Sequence, residues 1–350
     1  MSLYSTNTLL VRQLRVRYPA GHGDIVLRTE LDWDRVVAPV DVSDDGETWT
    51  FTIEARKPFV YLKPILKRPD GAELWAVGPN ALLLMTWESP AESFPYFDGS
   101  ESGTFSNVLE LDSAILGRKH YGRVYLPPGY FENTLRRYPV LYMQDGKNLF
   151  FPEEAFLGRE WQVDEALALL DKMNAVDHVV VVGVHSDDRM YDYTQPGYEA
   201  YARSIVEEIK PRIDAKIRTF TSSVETGVLG SSLGGVVSFY MAWEYPHVFG
   251  LGACMSSTFA HKNDLIDRVL SESKRENKYY LDSGWPGDNY EVTLAMAMAL
   301  AQRGYTPRQD FLHLMFPLDE HDENAWSRRL HIPLQLGLSK VSTAARGRFV

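Results

Sequence analysis

Along residues 9–87 apolar and polar positions alternate in short runs, among them 25–31, 49–54 and 59–66, punctuated by Gly, Asp and Pro. A period of two buries one face of a strand, and many short runs at this spacing predict an all-β sandwich. Asp44-Asp45-Gly46 and Pro69-Asp70-Gly71 supply hairpin turns. Residues 89–106 are polar and contain Pro and Gly, the composition of a linker. The pattern then changes. Apolar runs at 122–126, 139–143, 178–184, 227–229, 250–255, 278–281 and 311–316 alternate with helical stretches at 162–173, 198–217 (with a break expected near Pro211) and 291–303. Strands separated by helices imply right-handed crossovers and a doubly wound, mostly parallel sheet covered on both faces. The predicted organisation is therefore a β-sandwich over residues 1–98, a linker over 99–112 and an α/β domain over 113–350.

Composition narrows the class. A length of 350 residues suits two domains, and 45% hydrophobic with 24% charged residues is ordinary for a globular chain. The formal net charge of -11 argues against a nucleic-acid partner, whose phosphates call for Lys and Arg. The single Cys254 lies in an apolar run and reads as a core thiol. The first residues lack the apolar core of a secretory leader, and no run approaches the ~18 apolar residues of a membrane span. A cytoplasmic address without a membrane partner is expected.

The chemistry centres on Gly230-Ser231-Ser232-Leu233-Gly234, a G-x-S-x-G elbow after an apolar run and before a helical one. A serine hydroxyl needs a general base, itself oriented by a carboxylate. On such a sheet the acid and then the histidine should follow the serine, each in a loop beyond a strand end. His247 comes too early and His313 sits inside a strand-like run, whereas His321 lies in the polar loop beyond that run. For the acid, Asp282 closes a strand and tends to serve local backbone, so Asp288, further out in the loop, is the choice. One oxyanion donor should be the N–H of Leu233. The second should come from the loop carrying Gly146, Lys147 and Asn148. Trp161, Tyr191, Tyr193 and Trp285 are aromatic candidates for substrate contact, and Arg159, Arg189 and Lys147 are charged ones. No dense ligand spacing suggests a metal, and the chemistry calls for no cofactor.

Several motifs in order resemble the putative-esterase branch of the α/β-hydrolases, with enterochelin esterase, esterase D, feruloyl esterases and mycolyltransferases among its members. They are Val124-Tyr125-Leu126-Pro127-Pro128-Gly129-Tyr130, Tyr138 through Gly146, Glu207 through Ile213, and the elbow. The family's D-x-G-x-x-D acid region resembles Asp282-Ser283-Gly284 through Asp288 with one extra residue, which supports the second aspartate. Its histidine ahead of a tryptophan-bearing helix resembles His321 and Trp326. More faintly, residues 1–98 resemble the starch- and glycogen-binding modules, which would make Trp33 and Trp75 a sugar-stacking pair. A sandwich that caps the active site is the other reading.

The expectation is a serine carboxylic-ester hydrolase acting through an acyl-enzyme, its partner a small-molecule or glycan ester of a sugar, siderophore or aromatic acid. An acyltransferase on the same three residues, or a glycan-binding protein with a degenerate hydrolase domain, are the competing readings.

Overall fold

The computed structural model describes residues 7–86 and 91–338, so residues 1–6, 87–90 and 339–350 of the expected organisation lie outside the described residues. The chain forms two compact units. One comprises Met1–Gly103, Pro127–Arg136 and Asp171–Asn174, the other Thr104–Leu126, Arg137–Leu170 and Ala175–Val350.

The first unit carries β1 (Leu10–Arg17), β2 (Asp24–Thr29), β3 (Asp32–Val37), β4 (Asp41–Val42), β5 (Thr48–Ala55), β6 (Phe59–Lys67), β7 (Glu73–Trp75), β8 (Ala81–Leu84) and β9 (Ala91–Ser93). They form a sheet of order β4-β5-β1-β9 and a second of order β3-β2-β6-β7, with β8 also on β6. Register explains the alternation. Leu14 faces Phe51 and Val16 faces Trp49 across β1 and β5, and these side chains meet Ile25, Leu27, Leu62 and Leu66 of the other sheet in one buried core. This is the sandwich that the period-two pattern predicts.

The second unit holds β10 (Thr104–Phe105), β11 (Leu109–Ser113), β12 (Arg118–Leu126), β13 (Val140–Met143), β14 (Val180–His185), β15 (Thr226–Ser231), β16 (Leu251–Met255), β17 (Lys278–Trp285) and β18 (Phe311–Pro317). Their order is β10-β12-β14-β13-β15-β16-β17-β18, with β11 on β12. From β14 to β18 every pairing is parallel, and β12 joins β14 antiparallel. Helices α1 (Val163–Lys172), α2 (Arg189–Asp192), α3 (Gly197–Ser204), α4 (Lys210–Lys216), α5 (Leu233–Glu244), α6 (Leu265–Ser271), α7 (Tyr290–Gln302), α8 (Glu323–Arg329) and α9 (His331–Leu338) connect them. The central strands are buried on both faces, every residue of β14 and β15 included, which is why the runs at 178–184 and 227–229 show no polar alternation. Cys254 is buried on β16, as a core thiol should be. No helix among the described residues is long and apolar enough to cross a membrane.

Two expectations change. The helical stretch 198–217 does not break at Pro211, because a π turn at Ile205–Ile209 joins α3 to α4 and the proline falls in the first turn of α4. The wider turn spares the missing N–H and the ring's clash with the preceding turn. The linker expected over 99–112 contains β10 and β11, both paired to β12. Phe105 anchors it, its ring lying 5.5 Å from Tyr125, 5.2 Å from Phe150 and 4.8 Å from Phe151. Backbone pairing to a strand distant in sequence leaves no trace in composition. Phe105→Ala is expected to destabilise the second unit by about 2–4 kcal/mol, below the cost of a fully buried phenylalanine. Thermal or denaturant unfolding measures it, and a neutral result would restore the linker reading.

Candidate active site

The turn from β15 into α5 places Ser232 at φ 56°, ψ -123°, a conformation costly for a residue with a side chain. It persists because its surroundings determine it. A Cβ at Gly230 would lie 2.4 Å from the Gly234 carbonyl oxygen, so the strand end and the first helical turn approach this closely only with glycine there. The Ser232 N–H donates to Met255 O at 2.9 Å, and its carbonyl accepts from Thr258 N at 3.3 Å. Residues 233–243 of α5 are all buried, so the elbow rests on a packed helix.

His321 lies in the loop between β18 and α8, and Asp288 in the loop between β17 and α7. His321 Nε2 stands 2.9 Å from Ser232 Oγ, and Nδ1 stands 2.6 Å from Asp288 Oδ1. The Trp326 ring meets the imidazole edge-on at 5.1 Å. Burial pushes the Asp288 carboxyl up. Hydrogen bonds outweigh it: His321 and the Asn289 N–H serve Oδ1, while Ser256 Oγ (2.5 Å) and the Gly284 N–H (2.6 Å) donate to Oδ2. Together they hold this acid below the usual carboxylate range.

Asp282, the alternative acid, is fully buried within β17, and it is Asp288 that His321 Nδ1 meets. Asp282 accepts from Tyr280 Oη (2.7 Å), Arg329 Nε (3.1 Å) and the Ser256 N–H (3.2 Å), and burial raises its carboxyl against the pull of Arg329. His313 stays within β18, its Nε2 3.1 Å from Thr293 Oγ1 and its ring stacked on Tyr290.

The Leu233 N–H opens α5, where a helix leaves its first donors without intrahelical acceptors. Asp145 is left-handed at φ 55° and starts a 3-10 turn over Gly146–Asn148 that approaches α5: a Cβ at Gly234 would lie 3.1 Å from Asp145 Oδ2. Within that turn the Asn148 N–H is committed to Asp145 O at 2.8 Å, its Oδ1 accepts from the Phe156 N–H and its carbonyl from the Trp161 N–H. Asn148 therefore closes its own loop and is withdrawn as an oxyanion donor, which leaves Gly146 and Lys147. Lys147 pairs with Asp187 at 3.6 Å, and Arg189 pairs with Asp145 at 2.6 and 2.9 Å.

Trp161 is also corrected. It is fully buried, 5.8 Å from Trp326, in the core with Val163 and Leu167, because the bond to Asn148 draws its backbone inward. It cannot touch a substrate. Trp285, at the end of β17, is half-exposed. In the first unit Trp33 and Trp75 are exposed on outer strands of one sheet; Arg28 donates to Trp33 O at 2.5 Å and lies 5.7 Å from the Trp75 ring centre.

Four neighbours were not singled out from sequence. Thr258 Oγ1 stands 3.3 Å from Ser232 Oγ, and Asn289 Nδ2 donates to Ser256 O (2.7 Å) and Thr258 Oγ1 (3.1 Å). Ser256 and Arg329 contact the acid. Adjacency to Asp288 could have flagged Asn289; the others are ordinary loop and helix residues in sequence.

A serine on a strand-to-helix elbow, over a doubly wound sheet with acid and histidine in later strand-end loops, defines the α/β-hydrolase class. The family model described as "Putative esterase" matches residues 113–314, and the chain belongs to that family. It is 33% identical over 170 residues to Uncharacterized protein YjcH of Bacillus subtilis (strain 168), a match covering 47% of this chain and 63% of YjcH, so the chain spans less than two thirds of that relative. Among solved structures, a ferulic acid esterase superposes with a TM-score of 0.58 at 18% identity, covering 68% of this chain and 98% of the other. The enterobactin esterase FES from Shigella flexneri, in the presence of enterobactin, superposes with a TM-score of 0.56 at 12% identity, covering 96% and 94%. At these identities the likeness concerns the fold.

The lowered Asp288 carboxyl has a stability consequence. Its contribution is fully present above the unfolded-state value of ~4 and is lost as pH falls through the lower folded-state value. The unfolding free-energy difference between wild type and Asp288→Asn is thus expected to shrink as pH falls below about 4. Denaturant titrations at stepped pH measure it; a difference indifferent to pH over that range would contradict the assignment.

Proposed function

We propose that this protein hydrolyses carboxylic esters through an acyl-enzyme on Ser232. The observation that carries the reading is the pair of contacts from one imidazole, 2.9 Å to Ser232 Oγ and 2.6 Å to Asp288 Oδ1. Ser232 Oγ attacks the acyl carbon as its proton passes to His321 Nε2, and Asp288 holds the Nδ1–H and stabilises the imidazolium. The Leu233 N–H, with the Gly146 or Lys147 N–H, receives the charge developing on the carbonyl oxygen. His321 then protonates the leaving alkoxide. In the second half, water gives its proton to His321 and attacks the acyl group, and Ser232 leaves with that proton. Transfer to another alcohol in place of water uses the same residues; product analysis with an added acceptor alcohol separates the two.

For the substrate we propose an ester of an aromatic acid. Tyr191 on α2, which follows β14, and Trp285 at the end of β17 present half-exposed rings in the second unit, and rings of this kind suit the flat face of an aryl group. The fold shared with a ferulic acid esterase supports the same class. A subsidiary reading for the first unit is sugar stacking on Trp33 and Trp75, supported by the exposure of both on outer strands of one sheet. Slower migration of wild type but not Trp75→Ala in gels containing starch or glycogen is expected on that reading; equal migration would remove it.

Ser232→Ala is expected to lower kcat on p-nitrophenyl acetate or methyl ferulate by ~10⁶ with the fold intact. Asp288→Asn should lose ~10⁴, with a smaller loss for Asp282→Asn. Steady-state kinetics alongside circular dichroism checks the series. An active Ser232→Ala would overturn the mechanism, and the reverse order of the two aspartates would move the acid.

A further inference from the structure

We propose that Ser256 is a positioning residue for this site: Arg329 and Trp326 both donate to its oxygen, which leaves its hydroxyl proton to Asp288 and so fixes the acid that faces His321. The proposal rests on the hydrolase reading above, since it assigns Ser256 a part in that machinery.

The argument is one of hydrogen-bond capacity. A serine hydroxyl has one proton to donate and two lone pairs to accept with. Trp326 Nε1 approaches Ser256 Oγ at 3.0 Å and Arg329 Nη2 at 2.5 Å. An indole N–H and a guanidinium are donors with no accepting role, so both lone pairs are taken. The proton then has Asp288 Oδ2, 2.5 Å away, as its acceptor. With the Gly284 N–H also on Oδ2, that oxygen is tied down and Oδ1 is presented to His321.

The second half of the argument is what holds Ser256. Its backbone lies at φ 43°, in the left-handed region that is costly for a serine. Its N–H donates to Asp282 O at 2.8 Å and its carbonyl accepts from Asn289 at 2.7 Å. Asp282 also binds Arg329 Nε, and Asp319 binds Nη1 at 3.0 Å, so the guanidinium is aimed by two carboxylates while its third nitrogen reaches Ser256. This gives Asp282 a task distinct from that of the acid. The ionisable groups around Asp288 are the His321 imidazole and, at 3.6 Å, the Arg329 guanidinium, the latter shared with Asp282 and Asp319. Ser256 is fully buried and Arg329 is 2% exposed, so neither meets substrate and both act through Asp288.

The test uses Ser256→Gly, because glycine is at ease at this φ and the change removes the hydroxyl while relaxing the backbone. Trp326→Phe, which removes one donor and keeps an aromatic ring, is the second variant. In low-field proton NMR the proton between His321 Nδ1 and Asp288 is identified by its loss in His321→Ala. We expect it in wild type and expect it lost to solvent exchange in Ser256→Gly. The kcat on p-nitrophenyl acetate should fall about 10- to 100-fold, with KM changed by less than about threefold. Trp326→Phe should fall part of the way. In an Asp288→Asn background, Ser256→Gly should add less than about a twofold loss, since the acid it positions is gone. A folded Ser256→Gly, or Trp326→Phe if the former does not fold, that keeps the resonance and wild-type kcat would overturn the proposal, as would losses that multiply in the double variant. A resonance that responds as expected in a protein that turns over no ester would overturn the hydrolase reading and leave the positioning role standing.

Discussion

The 2.6 Å hydrogen bond between Asp288 Oδ1 and His321 Nδ1 joins two loops that leave adjacent parallel strands, and the arrangement at Ser232 depends on it. An imidazole on a loop can turn about two bonds, and only a fixed acceptor on one nitrogen holds the other at the nucleophile. The sheet makes that acceptor available. Strands β16, β17 and β18 run parallel in register, so their following loops emerge on the same side, and Ser256, Asp288 and His321 come from three successive ones.

Energetically the site sets polar groups against burial. Asp282 and Arg329 are almost wholly removed from water, a costly state for either alone. Each therefore has several partners: the aspartate accepts from a tyrosine, an arginine and a backbone amide, and the arginine donates to two carboxylates and a hydroxyl. Strain is placed in the same region, at Ser232 with φ 56° and Ser256 with φ 43°. Packed elements on either side, α5 beneath the elbow and β16 beneath Ser256, hold those conformations against their cost.

How much of this is legible in the sequence follows from how local each constraint is. The elbow shows because its glycines stand at fixed offsets from Ser232, and a Cβ at Gly230 would collide with Gly234. His321 shows because the last strand is a clear apolar run with a polar loop after it. Asp282 lies within β17 and Asp288 in the loop after it, and only the three-dimensional course of the chain decides which reaches the histidine. Trp161 and Trp285 look alike as aromatic residues, yet one is core and the other half-exposed. The strands β10 and β11 and the bond from Arg329 to Ser256, 73 residues apart, depend on pairings that no window along the chain contains.

The most direct test of the central claim is to look for the covalent intermediate. In the presence of a slowly released aromatic ester, wild type quenched early in acid should show by intact-protein mass spectrometry one added acyl group, located by peptide mapping to Ser232 and absent from Ser232→Ala. An adduct on another residue, or product formation by wild type with no acyl group on Ser232 under early quench, would contradict the account.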